Sequence, residues 1–305
     1  MSVVKRRNSF ERVLVDMNTQ CDFLLPTGAL PAANRSDVLP NIRRIMNWGR
    51  ISGVPIISSL EAHRHGESQR GLPLHCVDRS SGQKKLPFTM MPRRMMLFGD
   101  NTLDLPIDPF RKFQQVIFTK RDRDFLSNPK ADRLIQSIRA DHYVVFGVIA
   151  EYCIKAAVLG LIARRQFAVV VSDACGYWSA NEGELSLRQM EAKGAVLITT
   201  EELVTGSADE RIKELAAARC MSSYEDHEDA AHAEANGNGN GNGNGNGHSR
   251  RNGEEHHDKI NTEGATPRTS RTTPEPEHDS DHLPIEVIRH RPKPGRPSRS
   301  PSELA

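Results

Sequence analysis

The sequence contains no run of eighteen apolar residues, so no segment is expected to span a membrane. Its opening, MSVVKRRNSF, is basic but lacks the apolar stretch of a secretory signal, and a cytoplasmic protein is the expectation. No Gly-x-Gly-x-x-Gly follows the first apolar segment, which argues against a nucleotide cofactor. Cysteines are few and odd in number: Cys21, Cys76, Cys153, Cys175 and Cys220. They read as free thiols in a reducing compartment, not as a disulfide framework. No internal repeat is present.

The 305 residues divide unevenly. From Ser222 to Ala305, 84 residues, only 13 are apolar. Such a segment cannot bury enough surface to offset its chain entropy, so a disordered tail is expected over 222–305. It opens with SSYEDHEDAAHAEA, continues as an Asn-Gly alternation from Asn236 to Gly247, and closes on the basic, proline-rich HRPKPGRPSRSPS. The tail reads as a solvated extension, or as one with a binding motif in its last fifteen residues whose partner nothing names. It carries 10 Lys+Arg against 15 Asp+Glu, whereas residues 1–221 carry 31 against 24. That mild basic excess makes no case for a nucleic-acid partner. Residues 1–221 fit one large domain.

Within that body, short apolar runs alternate with amphipathic stretches. Strands are expected at Val13–Val15, Val54–Ser58, Val116–Thr119, Tyr143–Val148, Ala168–Ser172 and Ala195–Thr199. Most are β-branched and nearly continuous in apolar character, as in strands covered on both faces. Helices are expected over Asp37–Ser52, stopped by Gly53, and over Lys130–Arg139, Glu151–Arg165, Gly183–Lys193 and Glu201–Ala218. The alternation predicts an α/β fold, a three-layer αβα sandwich around a parallel, Rossmann-like sheet of about six strands. Right-handed crossovers then put an active site at the carboxyl ends of the strands. Leu60 to Leu105 breaks the rhythm, and irregular stretches of that length are usually functional or disordered. Its histidines, His63, His65 and His75, favour function.

Four places could carry chemistry. Cys153 follows a buried strand and a short turn, in the first turn of a helix. Free amides and the helix dipole there favour thiolate and could hold an oxyanion; the alternative is a small buried hydrophobe. Lys120 follows Val116–Thr119 directly and could stabilise a thiolate, or be a solvated lysine. In RVLVDMNTQCDF, Asp16, Asn18, Gln20 and Asp22 share a face if the strand persists, and a carboxylate there could take a thiol proton. Glu61, His63 and His75 supply one carboxylate and two imidazoles, a set suited to Zn, Fe or Mn, although a Glu-x-His pair is often only surface polarity.

Together these segments resemble the isochorismatase-like cysteine hydrolases, and among them the nicotinamidase-like amidases. The resemblance spans roughly Arg12 to Val204 and rests on GVIAEYCIKAAVLGL, LPLHCVDRSSGQ and SLEAH. It implies Cys153 as nucleophile, Lys120 as catalytic lysine, a cis peptide at Val148–Ile149 and an oxyanion hole from the Ile149 and Cys153 amides. It implies Glu61, His63 and His75 as ligands of a divalent metal that orients substrate. Phe23, Leu72, Phe125 and Tyr152 are expected around a small-molecule amide, hydrolysed through a thioester. A homo-oligomer is an expectation of the same resemblance. The family's aspartate position falls on Asn18 when counted from Gln20, Asp22 and Phe23, or on Asp16 when aligned on the strand. Leu72 stands where nicotinamidases place a stacking Trp, Arg79-Ser80 replaces Gly-Thr, and Ile149 is bulkier than the usual alanine. A hydrolase and a catalytically impaired binding or scaffold protein are therefore both open.

Overall fold

The computed structural model describes residues 9–67, 71–98 and 105–219. The expected tail and Cys220 lie outside them. Seven strands form one sheet: β1 (Ser9–Met17), β2 (Ile56–Glu61), β3 (Arg94–Leu97), β4 (Gln115–Lys120), β5 (Arg139–Val148), β6 (Ala168–Gly176) and β7 (Val196–Ile198). Their order is β3-β4-β2-β1-β5-β6-β7 and every pairing is parallel.

The apolar runs are continuous because both faces of the sheet are covered. In β1, Val13, Val15 and Met17 join one core with α3 (Pro129–Ser137), α4 (Lys155–Ala163) and α5 (Ala180–Ala192). Leu14 points the other way, into a second core with α2 (Arg35–Ser52) and α6 (Thr200–Thr205). The result is three layers, α on β on α. The strands after β1 are added first on one side of it and then, from β5, on the other, so the carboxyl ends of β1 and β5 flank the crevice where such sheets take ligands.

Local signals explain most boundaries. Gly53 caps α2 in the left-handed region (φ 66°), where the lack of a Cβ removes the penalty. A second such glycine, Gly206 (φ 76°), ends α6, so the helix expected over Glu201–Ala218 divides into α6 and a further helix over 209–219. Strand β3 lies inside the stretch read as irregular. It is a four-residue edge strand pairing only with β4, and half-exposed RMML carries no strong strand pattern. Among the described residues no helix is long and apolar enough to cross a membrane.

Candidate active site

Four strand ends deliver one group each to a common point. Glu61 closes β2 and Lys120 closes β4, and the two are direct partners in the β2–β4 register. Asn18 follows β1 with φ 47°, a turn that ends the strand at Met17. Beyond β5 comes a cis peptide at Val148–Ile149, and then a wide turn over Ala150–Ile154, closed by Ile154 N–H on the Ile149 carbonyl (3.1 Å), that carries Cys153.

Glu61 is the hub of this cluster. Its Oε2 accepts from Lys120 Nζ (3.0 Å) and Asn18 Nδ2 (3.0 Å) and stands 3.7 Å from Cys153 Sγ. Lys120 Nζ also reaches Cys153 Sγ (3.3 Å) and the Asp122 carbonyl (2.9 Å). On the far side, Glu61 Oε1 lies 2.9 Å from His63 Nε2 and 3.4 Å from His75 Nε2. Gln20 fixes the backbone beneath, donating to the Glu61 carbonyl (2.9 Å) and accepting its amide (2.8 Å). Asp22 pins the opposing loop by accepting the Cys76 amide (2.7 Å).

Electrostatics follow from burial and these contacts. Burial works to raise the Glu61 carboxyl, but Lys120 and the bonds from the two histidines outweigh it and hold the carboxyl well below its usual range. Burial works against the Lys120 cation, yet Cys153 and Glu61 hold it raised. Burial pushes the Cys153 thiol up to about 11, with Glu61 adding to the rise and Lys120 opposing it. The direction is opposite to that expected for a thiol at a helix start, because at a buried sulfur loss of water works against the neighbouring cation.

Asp16 and Asn18 part company here. Asp16 is fully buried and pairs with Lys85 Nζ (2.9 Å), also accepting from Thr19 Oγ1 (2.8 Å) and Ser58 Oγ (2.9 Å). Asn18 faces Glu61 and is held by Ser59, whose Oγ donates to Asn18 Oδ1 (2.6 Å) and accepts the Asn18 amide (3.1 Å). The two do not share a face because the positive φ at Asn18 breaks the strand's alternation.

Glu61, His63 and His75 bring ligand atoms within 4.8 Å of one another, all three residues buried. The Glu61 Oε1 distances to the two imidazoles match the spacing of donors around an ion bonded at about 2.0–2.2 Å. His75 Nδ1 donates to the Pro73 carbonyl (2.7 Å), which leaves its Nε2 directed at Glu61 Oε1. One carboxylate and two imidazoles fit a divalent cation. His65 is exposed and takes no part.

Cys153 opens on a cavity of about 270 Å³. Asn18, Phe23, Leu72, Ile149 and Tyr152 line it. Phe125 does not: it is fully buried in the core, turned inward by a short helix that Asp124 caps through the Leu126 amide (2.9 Å). Lys120 lines a second, larger cavity of about 890 Å³ that excludes Cys153. Trp178, Arg121 and Arg123 also line the cysteine's cavity and were not expected there. Trp178 comes from the β6–α5 loop, which no local pattern ties to Cys153, whereas the arginines lie beside Lys120 in FTKRDRDF.

The isochorismatase domain model matches residues 12–202. The chain is 24% identical over 212 residues to a nicotinamidase of Escherichia coli, covering 62% of this chain and 94% of that protein. An isochorismatase-like hydrolase from Alkaliphilus metalliredigens superposes with a TM-score of 0.52 at 17% identity, covering 64% of this chain and 98% of the other. A pyrazinamidase/nicotinamidase from Streptococcus mutans gives 0.51 at 18% identity, with 61% and 99% covered. At these identities the solved structures share the fold.

Proposed function

We propose, from the premise that this chain belongs to the isochorismatase family, that it is a cysteine hydrolase opening the C–N bond of a small amide. Residues 1–221 are its hydrolase domain and 222–305 a low-complexity extension. The observation that carries the reading is the contact of Lys120 Nζ (3.3 Å) with the Sγ of Cys153, which lines a cavity bordered by aromatic side chains. Cys153 Sγ attacks the amide carbonyl carbon, and the thiol proton passes by way of Glu61 Oε2 to the departing nitrogen, the basic group that retains it. Lys120 offsets the charge of the sulfur. The Ile149 and Cys153 amides face the developing oxyanion. The C–N bond breaks, the amine departs with a proton, and water then cleaves the thioester. Phe23, Leu72 and Tyr152 border the substrate. Glu61, His63 and His75 would hold a divalent metal, which when bound polarises or orients a substrate atom.

The test is release of amine from a panel of small amides, nicotinamide included, with capture of the acyl group on Cys153 by mass spectrometry. Iodoacetamide is expected to label Cys153 faster than Cys175, whose thiol burial raises and whose Sγ donates to the Val171 carbonyl. Equal labelling with no amine released would sink the hydrolase.

Two observations favour a second reading. Asn18 offers no carboxylate, and Asp16 is paired with Lys85. A binding protein that keeps the pocket without turnover has the same features. Asn18→Asp separates the two: activity created where the parent has none identifies a binder.

A further inference from the structure

The Cys153 cavity is lined by four charged side chains beyond the Glu61 cluster: Glu67, Arg121, Asp122 and Arg123. Three have partners within the protein. Glu67 accepts from the Arg64 amide (2.7 Å) and lies 3.7 Å from Arg121 Nη1. Arg121 donates to the Ala62 carbonyl (2.9 Å) and to Asp78 (3.0 Å). Asp122 accepts the Arg123 amide (2.6 Å). The Arg123 guanidinium, among the described residues, meets no carboxylate and no carbonyl. It is nonetheless placed, lying over the Tyr152 ring at 5.0 Å from the centroid. Tyr152 is the residue before the nucleophile and lines the same cavity. A guanidinium engaged by an aromatic ring keeps N–H groups for a planar, bidentate acceptor.

We propose that Arg123 receives a carboxylate of the substrate, so that the chain acts on small amides that also bear a carboxylate group. This rests on the reading of the Cys153 cavity as the substrate site. A carboxylate suits the guanidinium fork in shape and charge, and a cavity of about 270 Å³ admits a small acid-amide. The other cations at the site are already engaged: Lys120 with Glu61 and Cys153, Arg121 with Asp78. Arg123 is thus a specificity-determining residue, distinct from the groups that act on the amide carbon.

The experiment compares two matched pairs, 3-carbamoylbenzoate with isophthalamide and succinamate with succinamide. Calorimetry on the full chain carrying Cys153→Ala prevents turnover during binding. The acid member of at least one pair is expected to bind about tenfold tighter or more than its neutral partner. Arg123→Gln is expected to bring the members of that pair within about twofold, leaving the neutral one unchanged, and Arg123→Lys to keep part of the preference. Equal binding within both pairs, equal loss of both members in Arg123→Gln, or no binding of any member at millimolar concentration overturns it. Amine release by the wild-type chain is scored separately. An acid preference without hydrolysis removes the hydrolase and leaves Arg123 in place, whereas hydrolysis without preference does the reverse.

Discussion

The Asn18 side-chain amide donates to Glu61 Oε2 at 3.0 Å, and that oxygen faces the Cys153 sulfur at 3.7 Å. Among the described residues Glu61 is the carboxylate that hydrogen-bonds the thiol, and it has one methylene more than an aspartate. Glu61→Gln is therefore expected to lower amine release by about a hundredfold or more. Adding Asn18→Asp to that variant returns a carboxylate to the cluster and is expected to recover part of the loss. Unchanged turnover in Glu61→Gln removes this glutamate from the proton's path.

Asp16 and Lys85 form a closed pair with side chains at most 1% exposed. Burial lowers the Lys85 ammonium, with Asp16 opposing the shift. Lys85→Met leaves a buried carboxylate without its cation and is expected to cost about 3–5 kcal/mol in urea unfolding. Replacing both as Asp16→Asn with Lys85→Met is expected to be milder than Lys85→Met alone. A catalytic Asp16 would instead show in Asp16→Asn as lost Cys153 reactivity at unchanged stability.

Glu151 ties the nucleophile's turn to the loop bearing Trp178, its Oε1 accepting the Trp178 (2.7 Å) and Ser179 (3.1 Å) amides. The Tyr152 and Trp178 rings meet edge to face at 5.0 Å. The chain has two tryptophans, so Trp48→Phe leaves Trp178 as the one reporter. In that background Glu151→Ala is expected to increase acrylamide quenching and to cost about 1–3 kcal/mol, since two amides lose their acceptor. Glu151→Gln, which keeps an acceptor oxygen, restores most of both. Identical quenching in all three proteins argues that Glu151 does not hold the loop.

His142, paired in register with Arg12, is buried and pushed down to about 4 by burial first and by the Arg12 cation second. Its unfolded counterpart titrates near 6.5, so between these values the unfolded chain binds more protons. Stability is full above about pH 6.5, falls as pH drops toward 4, and loses about 3 kcal/mol at most from this group. His142→Leu is expected to flatten that part of a plot of unfolding free energy against pH. An unaltered slope assigns the acid sensitivity elsewhere.

Zinc titration of the metal-free chain is expected to give one site per chain, weakened at least tenfold by His63→Ala or His75→Ala. His65→Ala, at an exposed neighbour, serves as the control. Uptake indifferent to both buried histidines argues against the triad.

Sequence alone determined the layered α/β fold, because strands covered on both faces must be apolar at nearly every position and glycine caps such as Gly53 need no distant partner. The same locality marked Cys153, Lys120, Glu61 and His63 as candidates, each at or near a strand's carboxyl end, whereas His75 stands in the loop between β2 and β3. Strand β3 escaped because an edge strand with one paired side has little pattern to display. Which of Asp16 and Asn18 faces the sulfur was decided only by the fold: one backbone angle at Asn18 and a lysine 69 residues from Asp16 separate two side chains that an extended strand would align. Phe125 went to the core, and Trp178 to the cavity, for the same reason. A side chain's neighbours are set by how distant strands and loops close on one another, and a linear pattern records only its own segment.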